Sequence, residues 1–173
     1  MCVKSAEVAL DNCCVGGTAD GCQRASDGIV AMCDATCSLE ESIIEFSSNV
    51  GVLAHVGKSE ATVSNCTLRH NFIASGVDDA ATLSLCGNRF VDNVHGAVFV
   101  GRDAALAEVE LSHNEIHGTL WLGSKTALAS LSETGNTHIQ SPVRFNSAPL
   151  ASSAIPVAQH SGREGDGSGN GAG

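Results

Sequence analysis

Asparagine recurs at Asn49, Asn71, Asn93, Asn114 and Asn136, at intervals of 22, 22, 21 and 22 residues along a chain of 173. A spacing this even restricts the chain to architectures made by repeating one unit: a leucine-rich repeat, a propeller strand pair or one coil of a β-solenoid. A second mark falls at the same period. Val56-Gly57-Lys58-Ser59, Val100-Gly101-Arg102-Asp103 and Leu122-Gly123-Ser124-Lys125 lie 44 and 22 residues apart.

Between these marks the apolar residues alternate at period two, as in Cys66-x-Leu68 and Val109-x-Leu111, which is a strand signal. No window carries a helix-length pattern. Leu68-x-x-Asn71 and Leu111-x-x-Asn114 match the end of a leucine-rich frame. The strand Gly118-Thr119-Leu120-Trp121-Leu122, however, stands where that family places its helix or extended return. Three short strands and three turns per coil fit better, so an all-β parallel solenoid of about six coils of roughly 22 residues is expected. Neighbouring coils then lie about 4.8 Å apart, and equivalent residues stack into ladders. Asparagine suits such a position because its amide tolerates left-handed backbone and bonds to its neighbours. The five asparagines are therefore read as one structural ladder. Gly51, Gly76, Gly96 and Gly118 are read as marking where the following strands start.

The N-x(2-4)-G-[VA] element and these ladder positions resemble the right-handed parallel β-helix repeat family over about residues 6–143. That group includes pectate-lyase-like enzymes, mannuronan epimerases and the nonenzymatic repeats of F-box-only and related proteins. The resemblance implies the architecture and leaves both an enzyme and a scaffold open. Lyases of the group display clustered Asp for calcium with an Arg or Lys base, and no such set is matched here. Arg69, Arg89 and Arg102 are scattered through the register, and an epimerase-like Asp-Pro-x-Asp is absent.

Four segments are expected: irregular Cys-rich first coils (1–37), regular coils (38–145), a partial C-terminal cap (146–160) and a disordered Gly-rich tail (161–173). Six of eight cysteines, Cys2, Cys13, Cys14, Cys22, Cys33 and Cys37, lie in the first segment. Without zinc-site spacing they are read first as thiols in coil positions, then as disulfides across the Cys14 to Cys22 loop, then as a metal site. A net charge of −10 argues against nucleic acid. No apolar run suggests a signal peptide or a membrane span, so the chain as written reads as cytoplasmic, or as a fragment of a longer and even secreted protein.

One polar edge stands out. His70, Asp92 and His113 each precede a ladder asparagine and are expected to form a column, with His95 and His117 on the opposite shoulder. Imidazoles and a carboxylate in such a column could hold zinc or share a proton. His70 and His113, about two coil spacings apart, are too far for one ion without a bridging group. Phe99 and Trp121 are expected to form an outward apolar pair continued by Ala54 and Ala31, and Asp78-Asp79 an irregular acidic edge. Thr62, Thr82 and Thr126 are too few for a flat ice-binding array. The leading expectation is a nonenzymatic scaffold or recognition module for a protein or glycan partner, without cofactor. The alternative is a polysaccharide-active lyase or epimerase-like enzyme, or its remnant.

Overall fold

The computed structural model describes residues 1–4, 6–17 and 27–139. They fall within the unit Met1–Val143; a second unit, Arg144–Gly173, lies outside them together with the expected cap and tail. Each coil contributes one strand to each of three parallel sheets. The first coil is β1 (Cys2–Lys4), β2 (Glu7–Asp11) and β3 (Cys14–Gly16), and the second is β4 (Ile29–Met32), β5 (Thr36–Glu40) and β6 (Ile43–Glu45). Then come β7 (Val50–His55), β8 (Glu60–Ser64) and β9 (Thr67–Arg69), followed by β10 (Ile73–Val77), β11 (Thr82–Cys86) and β12 (Arg89–Val91). The fifth coil is β13 (Gly96–Val100), β14 (Glu108–Ser112) and β15 (Glu115–His117). The sixth is β16 (Trp121–Leu122), β17 (Ser130–Thr134) and β18 (Thr137–Ile139). Sheet A collects the first strand of every coil, sheet B the second and sheet C the third. Two 3₁₀ turns, Ala104–Leu106 and Lys125–Ala127, interrupt the corner between sheets A and B.

Period-two alternation turns every second side chain inward. Cys37, Ala61, Leu83 and Val109 stack in one buried column of sheet B, and Leu39, Val63, Leu85 and Leu111 in the next. Ile44, Leu68, Phe90 and Ile116 fill the sheet C side. Each Val, Leu, Ile or Phe among them contributes about 1.5–3 kcal/mol on burial. The columns weaken at the first coil, where Val8, Leu10 and Val15 are only partly buried.

The corners explain the asparagines. At the B–C corner a left-handed residue, such as Asn65, Gly87, His113 or Gly135, is followed by Cys66, Asn88, Asn114 or Asn136. Asn88 Oδ1 accepts from the Cys66 amide (2.9 Å), Asn114 Oδ1 from the Asn88 amide (2.9 Å) and Asn136 Oδ1 from the Asn114 amide (2.9 Å). Each Nδ2 donates backward to a carbonyl of the preceding coil: Asn88 to Val63, Asn114 to Leu85, Asn136 to Leu111. The C–A corner repeats the device with Asn71 and Asn93, which bond to Ser47 and Asn71 amides and to the Ile44 and Leu68 carbonyls.

The expectation of a single ladder through Asn49, Asn71, Asn93, Asn114 and Asn136 is therefore corrected to two ladders at different corners. Asn49 belongs to neither and donates to Asp27 Oδ1 at 2.8 Å. The even spacing has a simple origin. The pairing Thr82 with Glu108 makes this step 26 residues, against 22 for Glu60 with Thr82. The four extra residues, in the corner carrying the 3₁₀ turn, stretch the part-coil from Asn93 to Asn114 until it imitates a full one. Gly51 and Gly96 stand at the starts of β7 and β13, Gly118 lies in a corner with φ +98°, and Gly76 is the last residue but one of β10.

Candidate functional site

The predicted polar edge is divided by the fold. His70 and Asp92 occupy one column of the C–A corner, both in left-handed backbone, with Phe46 below and Gly118 above. The Phe46 ring stacks on His70 at a centroid distance of 5.3 Å, and Phe72 meets His95 edge-on at 4.1 Å. His117 closes β15 on sheet C, where its Nε2 and the Arg89 Nε both meet Glu115 Oε1. These two bonds, His117 first, hold the Glu115 carboxyl below its ordinary pKa. His113 does not join the column: it lies at the B–C corner over Gly135, where an added Cβ would come within 2.9 Å of the ring. Phe46 and Phe72, not singled out from sequence, are the residues that order the imidazoles. Among the described residues no three His, Cys, Asp or Glu side chains converge to hold a metal.

Phe99 and Trp121 also part. Trp121 pairs with Val98, in the column of buried Ile29, Val52 and Ser75, and packs against the last turn of the core. Phe99 pairs with Gly76 and Leu122, and the outward column runs Val30, Leu53, Gly76, Phe99, Leu122. Ala31 and Ala54 lie one position on and are fully buried. A shift of one residue in register exchanges the two faces of a strand, which is why the sequence pairing of Phe99 with Trp121 fails.

Asp78 and Asp79 are corner residues rather than an open edge. Asp79 Oδ2 accepts from the Gly57 amide at 2.9 Å, and Asp78 Oδ1 from the Asp79 and Asp103 amides at 2.9 and 3.1 Å. Asp78 also lies 3.8 Å from His55 Nδ1. Both carboxylates are thus engaged in closing the A–B corner, as Asp34 is with the Lys58 amide.

Cys2, Cys13, Cys14, Cys37, Cys66 and Cys86 are free thiols. Burial raises the pKa of Cys37 and Cys66, and the raised pKa of Cys14 comes first from burial and then from Glu45.

The three outer faces differ in chemistry. Sheet A presents the apolar column just described. Sheet C pairs its charges, with Arg69 to Glu45 at 2.7 Å and Arg89 to Glu115 at 2.9 Å. Sheet B carries three outward positions on each of its six strands, in unbroken parallel register. Six are carboxylates, namely Glu7, Asp11, Glu40, Glu60, Glu108 and Glu110; ten are Ser or Thr, and Ala9 and Cys86 complete the grid. Among the described residues no Lys, Arg or His occupies an outward position of its strands. A shallow depression of about 160 Å³ lies on this face between β11, β14 and β17. Sequence reasoning passed over the face although Thr82-x-Ser84 and Glu108-x-Glu110 alternate visibly, because short polar residues at outward strand positions look like ordinary solvation.

Three stacked parallel sheets, asparagine-stapled corners and a narrow aliphatic interior define a parallel β-solenoid. The chain belongs to the family described as the right handed beta helix region, whose model matches residues 2–141. Comparison with curated proteins and with solved structures yielded no match.

Proposed function

We propose that this β-helix is a nonenzymatic recognition scaffold and that the outer face of sheet B is its contact surface. The observation that carries the reading is the grid of carboxylates and hydroxyls held in register across six strands, with no basic side chain at any outward position of those strands among the described residues. Sheet faces of this kind keep their side chains at fixed intervals, so a partner meets a preorganised pattern and little conformational entropy is lost on binding. The test is partner capture by the whole chain and by two recharged variants, Glu60→Lys/Glu108→Lys/Glu110→Lys on sheet B and Thr67→Lys/Thr137→Lys on sheet C. Loss of capture with the sheet B variant alone is expected. Equal capture by all three, or breakdown of a polysaccharide by the purified chain, would overturn the reading.

A second reading has its own observation. The Phe46–His70 and Phe72–His95 pairs with Asp92 give the C–A corner aromatic faces beside a carboxylate, a combination suited to glycan contact. Glycan binding abolished by Phe72→Ala but untouched by the sheet B changes would favour it.

A further inference from the structure

Resting on the reading of sheet B as the contact surface, we infer that β14 docks an extended segment of a partner protein with lysine or arginine at alternate positions. Glu108 and Glu110 are two residues apart on one strand and therefore share a face, about 6.6–6.8 Å from each other. An extended chain carries its own alternate side chains at that same interval. Two basic residues at i and i+2 therefore meet two carboxylates without a change of pitch.

The register supplies the rest of each subsite. Thr82 and Ser130 flank Glu108, and Ser84 and Ser132 flank Glu110, one coil to either side. Each carboxylate thus stands between two hydroxyl acceptors about 4.8 Å away, and a lysine ammonium has three donors to satisfy. These six side chains line the depression on the face. Neither glutamate belongs to the ion pairs of the described residues, which involve Asp78, Glu45 and Glu115. A single divalent ion would require both carboxylates to bend within about 5 Å of each other. Two separate cations leave them at the strand interval.

A second feature marks the same strand. The four-residue insertion ahead of β14 forms the 3₁₀ turn Ala104–Leu106 and leaves Leu106 68% exposed, two residues before Glu108. The strip is therefore acidic with an apolar end, and a segment of the form basic-x-basic followed or preceded by an apolar residue matches it.

The experiment is fluorescence anisotropy with the full chain and two labelled peptides of one composition, threonine alternating with lysine in the first and the lysines contiguous in the second. The alternating peptide is expected to bind about tenfold tighter than its isomer. The preference should vanish in Glu108→Gln/Glu110→Gln, with binding weakened about tenfold, the worth of two partly exposed ion pairs. Glu7→Gln/Glu40→Gln, with the same change in net charge, should stay within about twofold of the parent. Circular dichroism of both double variants checks the fold. Equal binding of the isomers, equal weakening by the two double variants, or no peptide binding would overturn the inference. If it falls while partner capture still depends on sheet B, the face stands and the assigned chemistry does not; if capture is also indifferent, both are lost.

Discussion

Asn88 shows what a single residue does in this fold. It is 1% exposed, accepts from the Cys66 and donates to the Val63 backbone, and receives Asn114 Oδ1 at its own amide. Replacing it by alanine leaves a buried amide and a buried carbonyl without partners, each costing about 1–3 kcal/mol. Asn88→Ala is therefore expected to lower the unfolding free energy by about 2–4 kcal/mol in denaturant titration. Asn136→Ala, in the sixth coil and partly exposed, should cost less. Equal losses would refute the burial argument. At this scale the sequence was partly legible: an asparagine after a turn residue announces a ladder. Which asparagines share one was hidden by the insertion ahead of β14, since an extra turn and a full coil are indistinguishable by counting. Asn88 itself was passed over because it falls outside the 22-residue comb.

Strands are placed by backbone contact between coils, and two glycines separate the possibilities. A Cβ on Gly51 would lie 2.5 Å from the Ala74 carbonyl oxygen, which cannot yield without breaking the pairing of β7 with β10. On Gly76 the nearest atom would be the tip of Leu53 at 3.2 Å, a flexible side chain on the outer face. Gly51→Ala should destabilise by about 2 kcal/mol or more, in the range of overpacked sites. Gly76→Ala should change stability by less than about 1 kcal/mol, and it removes a residue that weakens strands. Thermal unfolding of the two variants side by side decides it, and similar losses would mean the outer column is as tightly fitted as the inner one. The sequence read these glycines alike, as strand starts. Only the register between coils distinguishes one pressed against backbone from one lying under side chains.

A solenoid is quasi-one-dimensional, each coil depending chiefly on its neighbours. The inner coils carry the complete columns, whereas the first coil keeps Val8, Leu10 and Val15 only partly buried. Thiol labelling should follow this gradient. Exposed Cys2 and Cys86 should react with a disulfide reagent in the native protein, while Cys37 and Cys66, buried and with raised pKa, should react only on opening of their coils. Rapid native labelling of Cys66 would contradict the stated core. What the sequence determined by itself was the repeat: period-two alternation and recurrent turn residues are local properties, and they suffice for a parallel β-solenoid of about six coils. Tertiary structure alone decided which corner each turn occupies and which side chains become neighbours. It separated His113 from His70, turned Trp121 inward, engaged Asp78 and Asp79 with backbone amides and set Glu108 and Glu110 between rows of hydroxyls. The physical reason is that a side chain's neighbours in a solenoid lie a whole coil away, so an insertion of four residues leaves the local pattern intact and reassigns the contacts.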